Sequence, residues 1–385
     1  MSRNVVRMRN AWQRIVRTRR SFSAIPRSDV LLIDSVGAEE IATLIPTSVS
    51  YATFYARGES LHVNVRTVML ALGYVLRGRT PWVAYVGAVI RQVNPRVALT
   101  FIDNAPYFHE MANLFPEIHF VAVQNGNRFP YIDSTLPADR FYSSILFTFG
   151  DYEIESYRLQ NTRFSEIRAC GSLRSSLSLL KQNYGDSEQQ VDFDICFVSS
   201  SFLIEDDYWY YENELLATWL SEYLAVHHSQ IAVVAMRTGP DDQQAHEFEK
   251  DFYQRLFSHR VILSPRLTSD ATYQTMDKSQ VTISCGSSAS IESLGRGNRS
   301  LICHPLYRPS GPLDVSAPFI LETSDRQEFF MKVNEFLGMS DKCFHAEYQQ
   351  SIDFFCRPAG EAGILTALTG CLSLPHNVWA DRSHS

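Results

Sequence analysis

The sequence has little of what would settle its chemistry at a glance. Its longest apolar stretches, such as "TVMLALGYVL" between Arg66 and Arg77, fall short of the roughly 18 to 20 residues that a membrane-spanning helix needs, which predicts a soluble body. The seven cysteines, at positions 170, 196, 285, 303, 343, 356 and 371, include no CxxC pair. An odd, scattered set argues against a disulfide framework and for a reducing, cytoplasmic compartment. Neither GxGxxG nor a Walker A loop, HExxH or GxSxG is present, which weighs against dinucleotide oxidoreductases, P-loop enzymes, zinc peptidases and serine hydrolases. Acidic residues are missing from the first 27 positions, which hold eight arginines. Subtracting that arm from the overall charge of −7 leaves −15 on the rest.

The arm, residues 1–27, is thus chemically separate from the body. With Val5, Val6, Met8, Trp12, Ile15 and Val16 among its arginines, it fits a basic amphipathic helix lying on an anionic membrane, an organelle transit peptide, or a solubilising tail. An acidic body and only two aromatic residues in the arm exclude a nucleic-acid partner.

What is there in abundance is apolar: 45% hydrophobic and 12% aromatic residues over 385 positions, enough for a large core and for two domains. From residue 28 to 183 the runs "DVLLID", "RVALTFID", "HFVAVQN", "SILFTFG" and "EIRACGS" read as strands buried on both faces, and amphipathic stretches between them read as helices. This is the alternation of a parallel, doubly wound sheet. A polar, glycine-containing stretch at 184–190 reads as a linker. The alternation restarts over 191–340 with "DICFVSS", "IAVVAMR", "RVILSP", "QVTISCG" and "RSLICHP", and residues 341–385 read as helices that can cross back to the first domain. The expected fold class is therefore α/β, two tandem doubly wound domains facing a central cleft.

Open α/β sheets bind ligands at the carboxyl ends of their strands, so residues just after strands are the candidates. "SCGSSASIESLGRG" parses as strand, tight turn and helix. Gly286 permits the turn, Ser287 and Ser288 open the helix where backbone N–H groups and the helix dipole favour a phosphate, and Glu292 one turn in suits ribose hydroxyls. The alternative is a serine N-cap with Glu292 complementing the dipole. On the same side Ser199 and Ser200 end a strand, Arg237 ends "IAVVAMR", and His304 follows "RSLIC". On the other side Asp103 and Asp34 each close a strand, with an N-cap role the alternative for each. Gln124, Asn125 and Arg128 of "QNGNR" follow another strand, although Asn-Gly is also a common turn dipeptide. "DFD" at 192–194 precedes its strand and so lies away from the cleft, and no metal site is expected.

The segment "SCGSSASIESLGRGNRSLICHP" resembles the donor-binding segment of GT-B glycosyltransferases. Together with "DSVGAEE", "FIDNAPYFHEMANLFPEIHFVAVQNGNR", "FTFGDYEIESY" and "ACGSLRSS", it is similar to bacterial surface carbohydrate (O-antigen or capsule) biosynthesis proteins, and more distantly to Kdo transferases. The resemblance implies two Rossmann-like domains, with the second holding a CMP-, UDP- or GDP-linked sugar and the first a glycan or glycolipid acceptor at the cytoplasmic face of a membrane. It implies sugar transfer with no cofactor beyond that donor, with Asp103, or Asp34 in its place, as general base, Gln124, Asn125 and Arg128 on acceptor hydroxyls, and Arg237 neutralising the leaving phosphate. A sugar-nucleotide 2-epimerase and a catalytically idle glycan- or nucleotide-sugar-binding partner are the alternatives.

Overall fold

A computed structural model describes residues 19–55, 60–128, 138–183, 191–200, 208–258, 260–306 and 316–373. Most of the arm and the whole linker at 184–190 lie outside the described residues. Strands β1 (Arg19–Ser21), β2 (Val30–Ile33), β3 (Tyr51–Phe54), β4 (Ser60–His62), β5 (Val97–Thr100), β6 (His119–Val123), β7 (Ile145–Thr148) and β8 (Glu166–Ala169) belong to the first half. β9 (Phe193–Val198), β10 (Ala232–Ala235), β11 (Val261–Ser264), β12 (Ser279–Ser284), β13 (Arg299–Cys303) and β14 (Ile320–Leu321) belong to the second.

Each half builds one six-stranded, wholly parallel sheet, in the order β3-β2-β5-β6-β7-β8 and β11-β10-β9-β12-β13-β14. β2, β5, β7 and β10 are buried at every residue, which is why they read as unbroken apolar runs. In both orders the chain runs outward to one edge and returns to the centre, between β2 and β5 and between β9 and β12. These are the switch points at which doubly wound sheets form ligand crevices.

Helices cover both faces. Pro81–Val93 and Pro106–Leu114 bury one face of the first sheet, while Ala38–Ala42, Leu173–Asn183 and the C-terminal helix Thr366–Ser373 bury the other. Two first-sheet elements lack a clear sequence signal. Edge strand β3 alternates exposed and buried residues, and Pro81–Val93 follows another apolar helix after a short gap.

The C-terminal segment crosses between the halves. The Tyr152 and Phe355 rings stack 5.3 Å apart, Arg357 N–H donates to Phe149 C=O at 2.8 Å, and Ala359 N–H donates to Gly295 C=O at 2.8 Å. Gly150 lets that segment pass: a Cβ there would overlap the backbone carbonyls of Phe354 and Phe355.

The two sheets are also pinned directly. The Arg296 guanidinium, fully buried, pairs with Asp277 within the second half and donates to Ser175 C=O at 2.8 Å and Gln182 Oε1 at 3.1 Å in the first. Removing a partner of a buried pair strands the other charge. Arg296→Ala is therefore expected to lower unfolding stability by about 3 kcal/mol or more. Urea denaturation checks it; an unchanged midpoint would refute the clamp.

Candidate functional site

Between the carboxyl ends of the two sheets lies a cavity of about 670 Å³, within the size range of small-molecule sites. The second half contributes Ser199 and Ser200 after β9, Arg237 after β10, Arg266 after β11, and Gly286 to Ala289 with Glu292 after β12. Glu40, Asn125 and Arg174 enter from the first half. Of the residues expected from sequence, Ser199, Ser200, Arg237, Gly286, Ser287, Ser288, Glu292 and Asn125 line this space. Asp103, Asp34, Gln124, Arg128 and His304 do not.

The turn at 284–290 owes its shape to Gly286, whose φ of 63° lies in the left-handed region that other residues resist. Helix Ser288–Gly295 follows with Ser287 at its N-cap, yet the Ser287 side chain makes no capping hydrogen bond. The Ser288 hydroxyl is turned the other way and accepts the Asn127 N–H of the first half at 2.7 Å. The first-turn N–H groups of Ser288 and Ala289 have no acceptor within the helix, as at any helix start, and both residues line the cavity. Arg237 and Arg266 stand exposed at the rim, with Arg237 steadied by a 3.2 Å hydrogen bond to Ser200 C=O. Below them the buried Glu249 carboxylate accepts the Ser199 hydroxyl at 2.5 Å and the backbone N–H groups of Arg237 and Thr238 at 2.9 Å each, fixing both strand ends. Amides at a helix start beside guanidinium groups form an anion site.

Glu292 sits at the cavity floor, 5% exposed. Its carboxylate accepts the Ser172 hydroxyl from the first half and the Tyr273 hydroxyl, the latter at 2.8 Å. Burial raises its pKa, partly offset by those two donors and by Arg174 and Arg296. Both its oxygens are therefore engaged, one of them across the seam between the halves, a use that its position on the helix does not reveal.

The two aspartates expected to supply a base are captured inside the first half. Asp103 is fully buried: the Arg128 guanidinium grips both its oxygens, the Tyr157 hydroxyl donates at 3.2 Å and Asn125 N–H at 3.3 Å. Burial alone would lower the Arg128 pKa, but the adjoining Asp103 charge raises it, and Arg128 is locked in that pair instead of meeting an acceptor. Asp34 takes a positive φ of 95°, with one oxygen accepting Val36 N–H at 3.3 Å and the other the Tyr107 hydroxyl at 2.9 Å. Gln124 is buried, donating to Gly126 C=O and Glu153 at 2.8 Å each and accepting Phe149 N–H at 2.7 Å, so it braces its loop and meets no acceptor. His304, 2% exposed, lies 3.6 Å from the buried Glu212 and away from the cavity. Asp194 of "DFD" accepts Ile231 N–H at 2.7 Å, and among the described residues no group of three or more His, Cys, Asp or Glu has a metal-binding arrangement.

The residues that sequence reasoning missed are Glu40, Arg174, Arg266 and Tyr273. Glu40, in the short helix after β2, is the lining carboxylate that the first half offers among the described residues, and it lies 3.7 Å from Arg174. Arg174 opens the helix after β8, its guanidinium 4.8 Å over the Phe101 ring. Both belong to stretches just after strands, "DSVGAEE" and "ACGSLRSS", and that position is the signal that would have found them.

The comparisons with known proteins fit this geometry. Residues 152–309, less than half the chain, match the model of a family described as "putative O-antigen biosynthesis protein". No curated protein matches the chain. Among solved structures, it is similar to UDP-GlcNAc 2-epimerase from Neisseria meningitidis, at 14% identity and a TM-score of 0.54, over 89% of this chain and 98% of that one. It is also similar to the wall teichoic acid polymerase TagF, at 11% identity and 0.51, over 94% and 91%. A UDP-forming α,α-trehalose-phosphate synthase from Burkholderia xenovorans aligns at 11% identity and 0.50, over 89% and 97%. At such identities the likeness is one of fold, and the fold is GT-B: two Rossmann-like domains across a cleft.

One buried group beside the cleft gives the protein a pH dependence. Burial pushes the Glu153 carboxyl up to about 7, against the Gln124 amide and the Gly150 N–H, which favour its charged form. The folded state thus keeps this proton to a higher pH than the unfolded chain, whose carboxyl titrates near its ordinary value. Across the window from that ordinary value to about 7 the folded state binds more protons, so stability falls as pH rises. The contribution is on the order of 3 kcal/mol. Denaturation midpoints at pH 5 and pH 8 should show the fall, and Glu153→Gln should flatten it; an equal slope in the variant would refute the assignment.

Proposed function

We propose that this protein is a glycosyltransferase that moves a sugar from a nucleotide-sugar donor to a surface-polysaccharide or lipopolysaccharide acceptor at the cytoplasmic face of the membrane. The observation that carries the reading is the cavity itself, which opposes an uncapped helix start and two rim arginines in one half to a carboxylate, Glu40, in the other. The phosphates of the donor lie against the N–H groups of Ser288 and Ala289, with Arg237 and Arg266 neutralising the leaving group as the glycosidic bond breaks. Glu40 takes the proton of the acceptor hydroxyl as its oxygen attacks the sugar carbon, and Arg174 orients that carboxylate. The O-antigen description of the matched family model supports the acceptor class. Asp103 and Asp34, engaged elsewhere, keep only loop-positioning roles.

A second reading, a sugar-nucleotide 2-epimerase, is favoured by the TM-scores of 0.54 and 0.55 to two epimerase structures. It needs no acceptor. A thermal-shift panel of CMP, CDP, UDP and GDP names the donor class, because a nucleotide binding only the folded state raises the midpoint. With that donor, Glu40→Gln is expected to cut sugar transfer roughly 100-fold or more while leaving the nucleotide-induced shift intact. Full transfer by the variant would refute the base assignment, and epimerised donor formed without acceptor would favour the second reading.

A further inference from the structure

Helix Val65–Val75 has a composition at odds with its surroundings. A helix that is apolar on every side belongs in a core. Here Thr67 is buried on the side facing the protein, while Val65, Val68, Met69 and Leu72 stand exposed along the outside, with Val65 at 82% and Met69 at 63%, and Leu76 just beyond the helix at 79%. These positions repeat at three- and four-residue steps, so they form one stripe and not scattered exposures. Arg66, Arg77 and Arg79 flank the stripe and are also exposed. Strand β4, two residues upstream of the helix N-cap, pairs with β1 in register Ser21↔His62, which brings the 74% exposed Phe22 and the exposed Arg20 to the same part of the fold.

We propose that this face docks on an anionic lipid bilayer, with the stripe entering the headgroup region and the arginines meeting lipid phosphates. The charge pattern chooses the occupant. In a chain of net charge −7, the helix and its flanks, residues 60–80, contain three arginines, Arg66, Arg77 and Arg79, and no acid. A second copy docking through the same face about a two-fold axis would set those arginines against their own counterparts. An anionic membrane instead complements them and solvates the stripe. No helix among the described residues is long and apolar enough to cross a membrane, so the contact is interfacial. The inference stands on exposure and charge alone and does not depend on the sugar-transfer reading.

The test is co-sedimentation of the full chain with vesicles of phosphatidylglycerol and phosphatidylethanolamine, against vesicles of phosphatidylcholine. Binding to the anionic vesicles is expected to fall about ten-fold or more in Met69→Glu/Leu72→Glu, and to weaken in Arg77→Glu/Arg79→Glu. All four side chains are exposed, so the fold is retained, which circular dichroism verifies. A fluorophore on Leu72→Cys gives a readout local to the stripe: its emission shifts to the blue when anionic vesicles are added. An unshifted emission, or equal binding by Met69→Glu/Leu72→Glu, overturns the proposal. So does a wild-type dimer in sedimentation equilibrium that the same variant converts to monomer without any vesicle binding, which would assign the face to a second copy.

Discussion

The buried polar seam between the two sheets is the constraint on which the rest of the structure depends. Arg296 and Asp277 would be costly to bury alone, and Glu292 likewise, since an ionised group loses several kcal/mol of hydration in a dry interior. Each finds its missing partners across the seam: Arg296 donates to Ser175 and Gln182, and Glu292 accepts from Ser172. The second half therefore buries these charges well only when the first half is docked in one orientation. That orientation sets the two switch points opposite each other, and the cavity exists because they are held apart on one side and pinned on the other.

How far the sequence reveals this depends on whether a feature is local. β-branched runs bounded by polar turns mark the strands buried on both faces, and Gly286 with its serines marks the turn at the second switch point, because strand, turn and helix are decided within a few residues. Strand β3 escapes because an edge strand exposes Tyr51 and lacks a continuous apolar run. The site carboxylates fail for another reason. Position after a strand tells that Asp103 lies near a crevice, but whether it stays available is decided by Arg128, 25 residues later, and Tyr157, 54 residues later. Glu40, in the same kind of position, meets only the more distant approach of Arg174 and keeps a 26% exposed side chain.

The same capture organises the first half's contribution to the cleft. His109 is buried with its ring nitrogens 2.6 Å from Asp103 C=O and 3.0 Å from Tyr142 C=O, and burial lowers its pKa. Asp103 in turn holds Arg128, and Gln124 anchors the other end of the same loop to Glu153 and Phe149. A loop of Asn and Gly residues would otherwise sample many conformations. Fixed at both ends, it presents Asn125 to the cavity and the Asn127 N–H to Ser288.

That last contact bears on the helix start itself. A serine at an N-cap ordinarily bonds an amide of the first turn and adds about 1 kcal/mol to stability. Here Ser287 forgoes that bond, and the neighbouring Ser288 hydroxyl is drawn to the opposite domain. A helix selected for stability alone would use the cap that its sequence supplies. One that leaves its first amides open, beside arginines and at the carboxyl edge of a parallel sheet, keeps the electrostatic capacity to take an anion from solution. The uncapped serine thus ties local helix chemistry to the docking of the domains, since the loop that diverts Ser288 reaches it only when the seam is closed.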